Sequence, residues 1–165
     1  MNSNALPIDT IASSVLKLAG RTPDDPELHA FLVRLSAWPL GEFPSDEFDL
    51  YHIDKERGFC LMFEDAAKVN HPSAQGKKPR TPLLVGCYFY TQGKDDYEQF
   101  AGPLPYGVTW TDTPDSLTAR LGPAKNVIVS KKTGALTAHR WAIDTLLMTV
   151  GYRKGAIEDL YVGIT

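Results

Sequence analysis

"AHRWAIDTLLMTVGYRKGAIEDLYVGI", residues 138–164, decides how this chain is read. Three apolar-rich runs, 138–144, 145–152 and 156–164, follow one another with almost nothing between them. Lys154–Gly155 makes a short connection of the kind that closes a β-hairpin. Parallel strands need a long crossover, and there is no room for one here, so the runs predict an antiparallel meander.

Working outward, "NVIVS" (126–130) is a further strand, and "DTPDSLTARLGP" (112–123) is a short helix. Thr113 suits the N-cap and Pro114 the first helical position, where its missing N–H costs nothing. Leu117 and Leu121 share a face, Gly122 supplies a left-handed end, and Pro123 forbids continuation.

The first half repeats this order. "TPDDPELHAFLVRLSAWP" (22–39) predicts a helix capped by Asp25, started by Pro26, and apolar along Leu28, Phe31, Leu32 and Leu35. Its Arg34–Leu35 matches Arg120–Leu121. Strands follow at 47–54, 58–64 and 82–91, with "KERG" (55–58) as a hairpin connection. "YHIDKERGFCLMFED" and then "LLVGCYFYT" correspond in order to "WAIDTLLMTVGYRKG" and then "AIEDLYVGIT". A separate N-terminal helix spans 7–19, with Ile8, Ile11, Val15 and Leu18 on one stripe. Residues 65–81 are polar and predict a mobile surface loop.

The expected fold is therefore α+β: two similar helix–antiparallel-strand units forming one largely antiparallel sheet, with helices packed on one face. Residues 1–21 form the N-terminal helix, 22–100 the first unit, 101–112 a connector and 113–165 the second unit, all in one compact domain. The connector, opening "AGPLPYGVTW", is stiffened by Pro103 and Pro105. Tyr106 and Trp110 are expected to pin it to the core, with Tyr106 at its tip as a candidate partner contact.

Composition narrows the function classes. Hydrophobic residues make up 43% and charged residues 22% of the 165, and the net charge is −3, without the basic stripe of a nucleic-acid binder. No run approaches the ~20 apolar residues of a membrane helix, and residues 1–20 do not read as a secretory signal, so the expected compartment is the cytoplasm. Cys60 and Cys87 lie in apolar runs and read as buried free thiols, with a cross-strand disulfide left open.

Catalytic signatures are scarce. His29, His52, His71 and His139 show no metal-ligand spacing, so neither metal nor cofactor is expected. There is no GxSxG elbow, and "GPLPYG" has too few N–H groups to cradle a phosphate. Two alternatives stay open: a small enzyme using His52 or His139 with a carboxylate, and a small-molecule sensor with an enclosed cavity.

Partner-binding features are more suggestive. "YFY" puts Tyr88 and Tyr90 on one sheet face and Phe89 in the core, and Tyr152 and Tyr161 extend the aromatic patch. "KDDYE" sets Asp95, Asp96 and Glu98 around Tyr97, an acidic turn with an aromatic anchor suited to a basic partner surface.

The short helix ending "LGP", followed by meandering strands with Trp141 near the first, resembles the repeat of the β-lactamase-inhibitor-protein and outer-membrane assembly lipoprotein fold. The resemblance covers 105–164 best and 22–91 less well. The lipoprotein signal and the paired cysteines of the secreted inhibitors are both missing from the pattern. In size and type the chain is also similar to bacterial immunity proteins encoded beside polymorphic toxins. Both resemblances imply a protein that binds through a sheet or loop surface, most concretely an immunity protein that occludes a cognate toxin.

Overall fold

The computed structural model describes residues 6–164. Its three helices are α1 (Ile11–Leu18), α2 (Pro26–Arg34) and α3 (Pro114–Leu121). Its strands are β1 (Asp49–Asp54), β2 (Phe59–Asp65), β3 (Pro82–Tyr90), β4 (Asn126–Val129), β5 (Leu136–Ile143), β6 (Leu146–Arg153) and β7 (Ala156–Gly163). They make one seven-stranded sheet in the order β1-β2-β3-β7-β6-β5-β4, with every neighbouring pair antiparallel. The fold is α+β, as the sequence predicts. Each helix–meander unit contributes one side of the sheet, and the last strands of the two units, β3 and β7, pair at its centre.

Local chemistry caps α2 and α3 and turns the last hairpin as expected. The Asp25 carboxylate accepts hydrogen bonds from the Glu27 and Leu28 amides at the head of α2. Thr113 and Ser116 cap α3 reciprocally, each side chain accepting from the other's amide. Lys154 and Gly155 both take positive φ, the geometry that matches a two-residue hairpin turn to strand twist.

The helices cover one face of the sheet. α1 lies over the central strands β3 and β7, burying Ile11, Val15 and Leu18. The chain then hydrogen-bonds to Leu84 through Gly20 and Arg21, fixing the helix to the middle of the sheet. Phe59, Phe63, Phe89 and Phe100 are fully buried on this side, each contributing about 2–3 kcal/mol by removal from water.

Residues 65–81 differ from the expected mobile loop. The Asp65 carboxylate is buried and accepts from the Ala67 and Arg80 amides, closing both ends of the excursion. Ala66, Val69 and Ala74 pack against Leu83 and Val85, with Met62 beside them, as a small second core. The polar residues mask three apolar ones whose spacing has no helix or strand period, so the sequence reads as all surface. The connector 101–112 is docked as expected: Leu104, Pro105 and Val108 are buried, and the Trp110 indole N–H donates to the Phe100 carbonyl at 3.0 Å.

Candidate binding face

Strand alternation decides which side chains face away from the helices. Phe89 enters the core, so Tyr88 and Tyr90 point to the opposite face. The register then sets Tyr161 of β7 opposite Tyr88, Thr149 of β6 opposite Tyr161, and Arg140 of β5 opposite Thr149. Cys60 of β2 flanks Tyr88 on its other side, and Asp159 lies opposite Tyr90.

The tyrosines form a continuous ladder. Ring centroids are 4.0 Å apart for Tyr97–Tyr90, 6.0 Å for Tyr90–Tyr88 and 4.7 Å for Tyr88–Tyr161. Tyr161 lies flat across Gly86 and Gly163. A Cβ added at Gly86 would come within 2.5 Å of its hydroxyl, and one at Gly163 would meet the same oxygen. The Tyr161 hydroxyl donates to the Val85 carbonyl at 3.3 Å. These two glycines exist where a ring needs bare backbone beneath it.

Beside the ladder is a shallow cleft of about 170 Å³ lined by Met62, Tyr88, Arg140, Thr149, Asp159 and Tyr161. Its two charges are half-buried and lack ion-pair partners among the described residues. Arg140 spends its Nε donor on Thr149 Oγ1 at 3.0 Å, and its terminal nitrogens make no hydrogen bond to the described protein. The Asp159 carboxylate lies over bare Gly151. Burial pushes its pKa above the ordinary range; Lys94 opposes this, while Glu158 and Asp95 add to it. Burial, reinforced by Asp159, likewise raises the Tyr88 hydroxyl. The arrangement offers one anionic and one cationic contact on an aromatic floor.

The sequence-predicted residues divide between two places. Tyr88 and Tyr90 lie on this face as expected. Tyr97 does not stand out as an exposed anchor: it is buried, stacked on Tyr90, with Lys55 Nζ 5.7 Å over its ring. Its hydroxyl is pushed up to about 12, chiefly by burial. Asp95 and Asp96 remain exposed, paired loosely with Lys94 at 3.6 Å and Lys55 at 3.8 Å, and Glu98 is exposed beside them. The left-handed conformations of Asp95 and Asp96 turn Tyr97 inward, which is why one turn separates its acids from its aromatic ring. Tyr106 is half-buried against the main core, so it is a pin of the connector and not a protruding tip.

Tyr152 belongs to the opposite face, because the plain alternation of β6 sets it with Leu146, Met148 and Val150 on the core side. It is buried in the core, with its hydroxyl 3.4 Å from His139 Nδ1. His52 and His139 share the helix side but sit on β1 and β5, five strand spacings or about 24 Å apart, so they make no pair. His52 Nε2 is buried without a hydrogen-bond partner, and burial lowers the pKa of both rings. Neither lines the cleft beside the tyrosine ladder. Cys60 and Cys87 are free thiols on opposite faces of adjacent strands, an arrangement that excludes a bond between them.

Arg140, Asp159, Thr149 and Met62 escaped the sequence reading. The signal was there: a charge inside an apolar strand, as in "HRW" and "EDLY", marks a side chain on the face away from the core.

No protein-family model matches the sequence, and no curated protein matches it. Among solved structures, a DUF4309 family protein (YjgB) from Bacillus subtilis aligns over 99% of this chain and 100% of its own. Its identity is 13% and its TM-score 0.47. No helix among the described residues is long and apolar enough to cross a membrane.

Proposed function

We propose that this chain is a protein-binding module whose working surface is the helix-free face around Tyr88, Tyr90, Arg140 and Asp159. The observation that carries this reading is the pair of half-buried, opposite charges without ion-pair partners among the described residues, beside the packed rings of Tyr88 and Tyr161. Half-burying a charge without a partner has a desolvation cost, which a complementary charge on a bound protein offsets. Tyr and Arg are also the residues most often found at the energetic centre of interfaces.

The concrete form of the proposal is an immunity protein that neutralises a bacterial toxin domain by covering it. Support comes from the resemblance in size and type and from the mildly acidic chain. Asp95, Asp96 and Glu98, exposed at the rim, would steer a basic partner. The test is co-expression with the product of an adjacent toxin gene, followed by co-purification. A stable complex that Arg140→Ala or Tyr88→Ala disrupts supports the assignment. An adjacent toxin that forms no complex, or a complex indifferent to both substitutions, refutes it.

A further inference from the structure

The sheet is open at both ends. Among the described residues, eight large apolar side chains are exposed, and six of them sit at the two edges: Phe48, Tyr51 and Ile53 at β1, and Val127, Ile128 and Val129 on β4. All four residues of β4 are exposed, and its sole sheet neighbour is β5. An apolar edge strand with unpaired backbone groups is a template for another strand.

The charges bracketing the two edges are opposite. β4 is flanked by exposed Lys125, Lys131 and Lys132. β1 is preceded by exposed Asp46 and Glu47, begins with Asp49 and ends with Asp54. Two β4 edges brought together antiparallel would set lysine against lysine, so a β4–β4 pair is disfavoured. A β4 edge against a β1 edge sets lysine against carboxylate.

Six antiparallel steps separate β1 from β4, so they run in the same direction within one sheet. A second copy shifted along the sheet would pair them in parallel. That brings Lys131 and Lys132 to Asp54, already held by Arg57, and to Lys55. A copy turned over about the axis across the strands pairs them antiparallel instead. Lys131 and Lys132 then meet Asp46, Glu47 and Asp49. Val127 and Val129, on the helix side of β4, fall on the same side of the joint as Tyr51 and Ile53, on the open side of β1. These four are the most exposed of the edge residues, from 50% to 59%.

We propose that β4 of one copy pairs antiparallel with β1 of a second, turned-over copy, so that chains associate head to tail through their sheet edges. The contact is heterologous, leaves a free β1 and a free β4 at its ends, and therefore grows past a dimer. It uses neither the tyrosine ladder nor the Arg140–Asp159 cleft.

Sedimentation velocity on the purified chain, from low micromolar to near-millimolar, tests this. The mean mass rises with concentration and passes that of a dimer. Raising NaCl from about 0.1 M to about 1 M, where the screening length falls to about 3 Å, weakens association at least tenfold. The triple variants Lys125→Glu/Lys131→Glu/Lys132→Glu and Asp46→Lys/Glu47→Lys/Asp49→Lys each lose association to a similar degree, and the chain carrying both sets regains it. Far-ultraviolet circular dichroism confirms that each variant keeps its sheet. A wild-type chain that stays monomeric throughout overturns the proposal. So does a dimer that stops at two copies, or one that responds to the lysine reversals alone.

Discussion

Gly86→Ala isolates what the tyrosine ladder contributes. Gly86 is not in the left-handed region, so alanine fits its backbone and the effect is steric. The new Cβ would lie 2.5 Å from the Tyr161 hydroxyl and 2.6 Å from its Cζ, and it would also meet the Val162 carbonyl. The ring must lift off the sheet, losing its 3.3 Å hydrogen bond to Val85, worth about 1 kcal/mol, and its contacts with Tyr88. Overpacking at a closed site costs about 1–3 kcal/mol, and the stiffer unfolded chain returns about 0.4–1 kcal/mol. The net expectation is a loss of about 2 kcal/mol by urea unfolding, or roughly 4–8 °C in Tm for a chain of this size. Tyr161→Ala alone costs about 3–4 kcal/mol by deleting a buried ring. In the double variant the alanine at 86 has no ring to displace, so the two losses fall short of their sum by about 1 kcal/mol or more. A neutral Gly86→Ala, or additivity within about 0.5 kcal/mol, would falsify the description of Tyr161 as a ring seated on bare backbone.

Three further outcomes follow from single sites. Asp112 accepts from the Thr109 amide, the Ser116 hydroxyl and both terminal nitrogens of Arg120, joining the connector to α3, so Asp112→Ala lowers stability by about 2 kcal/mol at pH 7 in denaturant titration. Arg120 and these donors hold its carboxyl below the usual range, so the contribution is present above the unfolded pKa near ~3.9 and is lost as pH falls through the lower folded value. Asp159 runs the other way: its folded pKa is raised, so ionisation works against the fold as pH rises, and Asp159→Asn is more stable than the parent at pH 7, with the two urea midpoints converging below about pH 4. Arg140→Ala changes unfolding free energy by less than about 1 kcal/mol, because the side chain is half-exposed and has no ion pair to lose, while partner capture in a pull-down is abolished.

The fold was legible because its instructions are local. Asp25–Pro26, Thr113–Pro114 and Lys154–Gly155 are short-range capping and turn chemistry, and within β1–β2 and β4–β7 the antiparallel order follows from connections too short for anything else. Where reading failed, a non-local or irregular feature had intervened. Tyr152 is the exception: it follows Met148 and Val150 onto the core side by plain alternation of β6, and grouping it with Tyr161 overlooks that period. Two left-handed aspartates turn Tyr97 inward, and no residue type announces αL at Asp95 and Asp96 as glycine would. The Arg140–Asp159 cleft depends on the register across β5, β6 and β7, which pairs residues no motif connects.

On the binding reading proposed above, stacking and recognition would divide the helix-free face between them. Tyr97 and Tyr161 are 6% and 8% exposed, so a partner reaches little of either ring. They hold Tyr88 and Tyr90 from both ends, which would lower the entropy those two half-exposed rings lose if a partner docks on them. The charges act differently. Arg140 is fixed through one nitrogen by Thr149 and makes no hydrogen bond to the described protein through its terminal nitrogens, and Asp159 has no ion-pair partner among the described residues. Affinity on such a face comes from rigid aromatic area and specificity from two charges of opposite sign. Tyr88→Phe, which keeps the ring, is therefore a milder change for a partner than Arg140→Lys, which keeps the charge but loses the planar fork that can bond Thr149 and a ligand together.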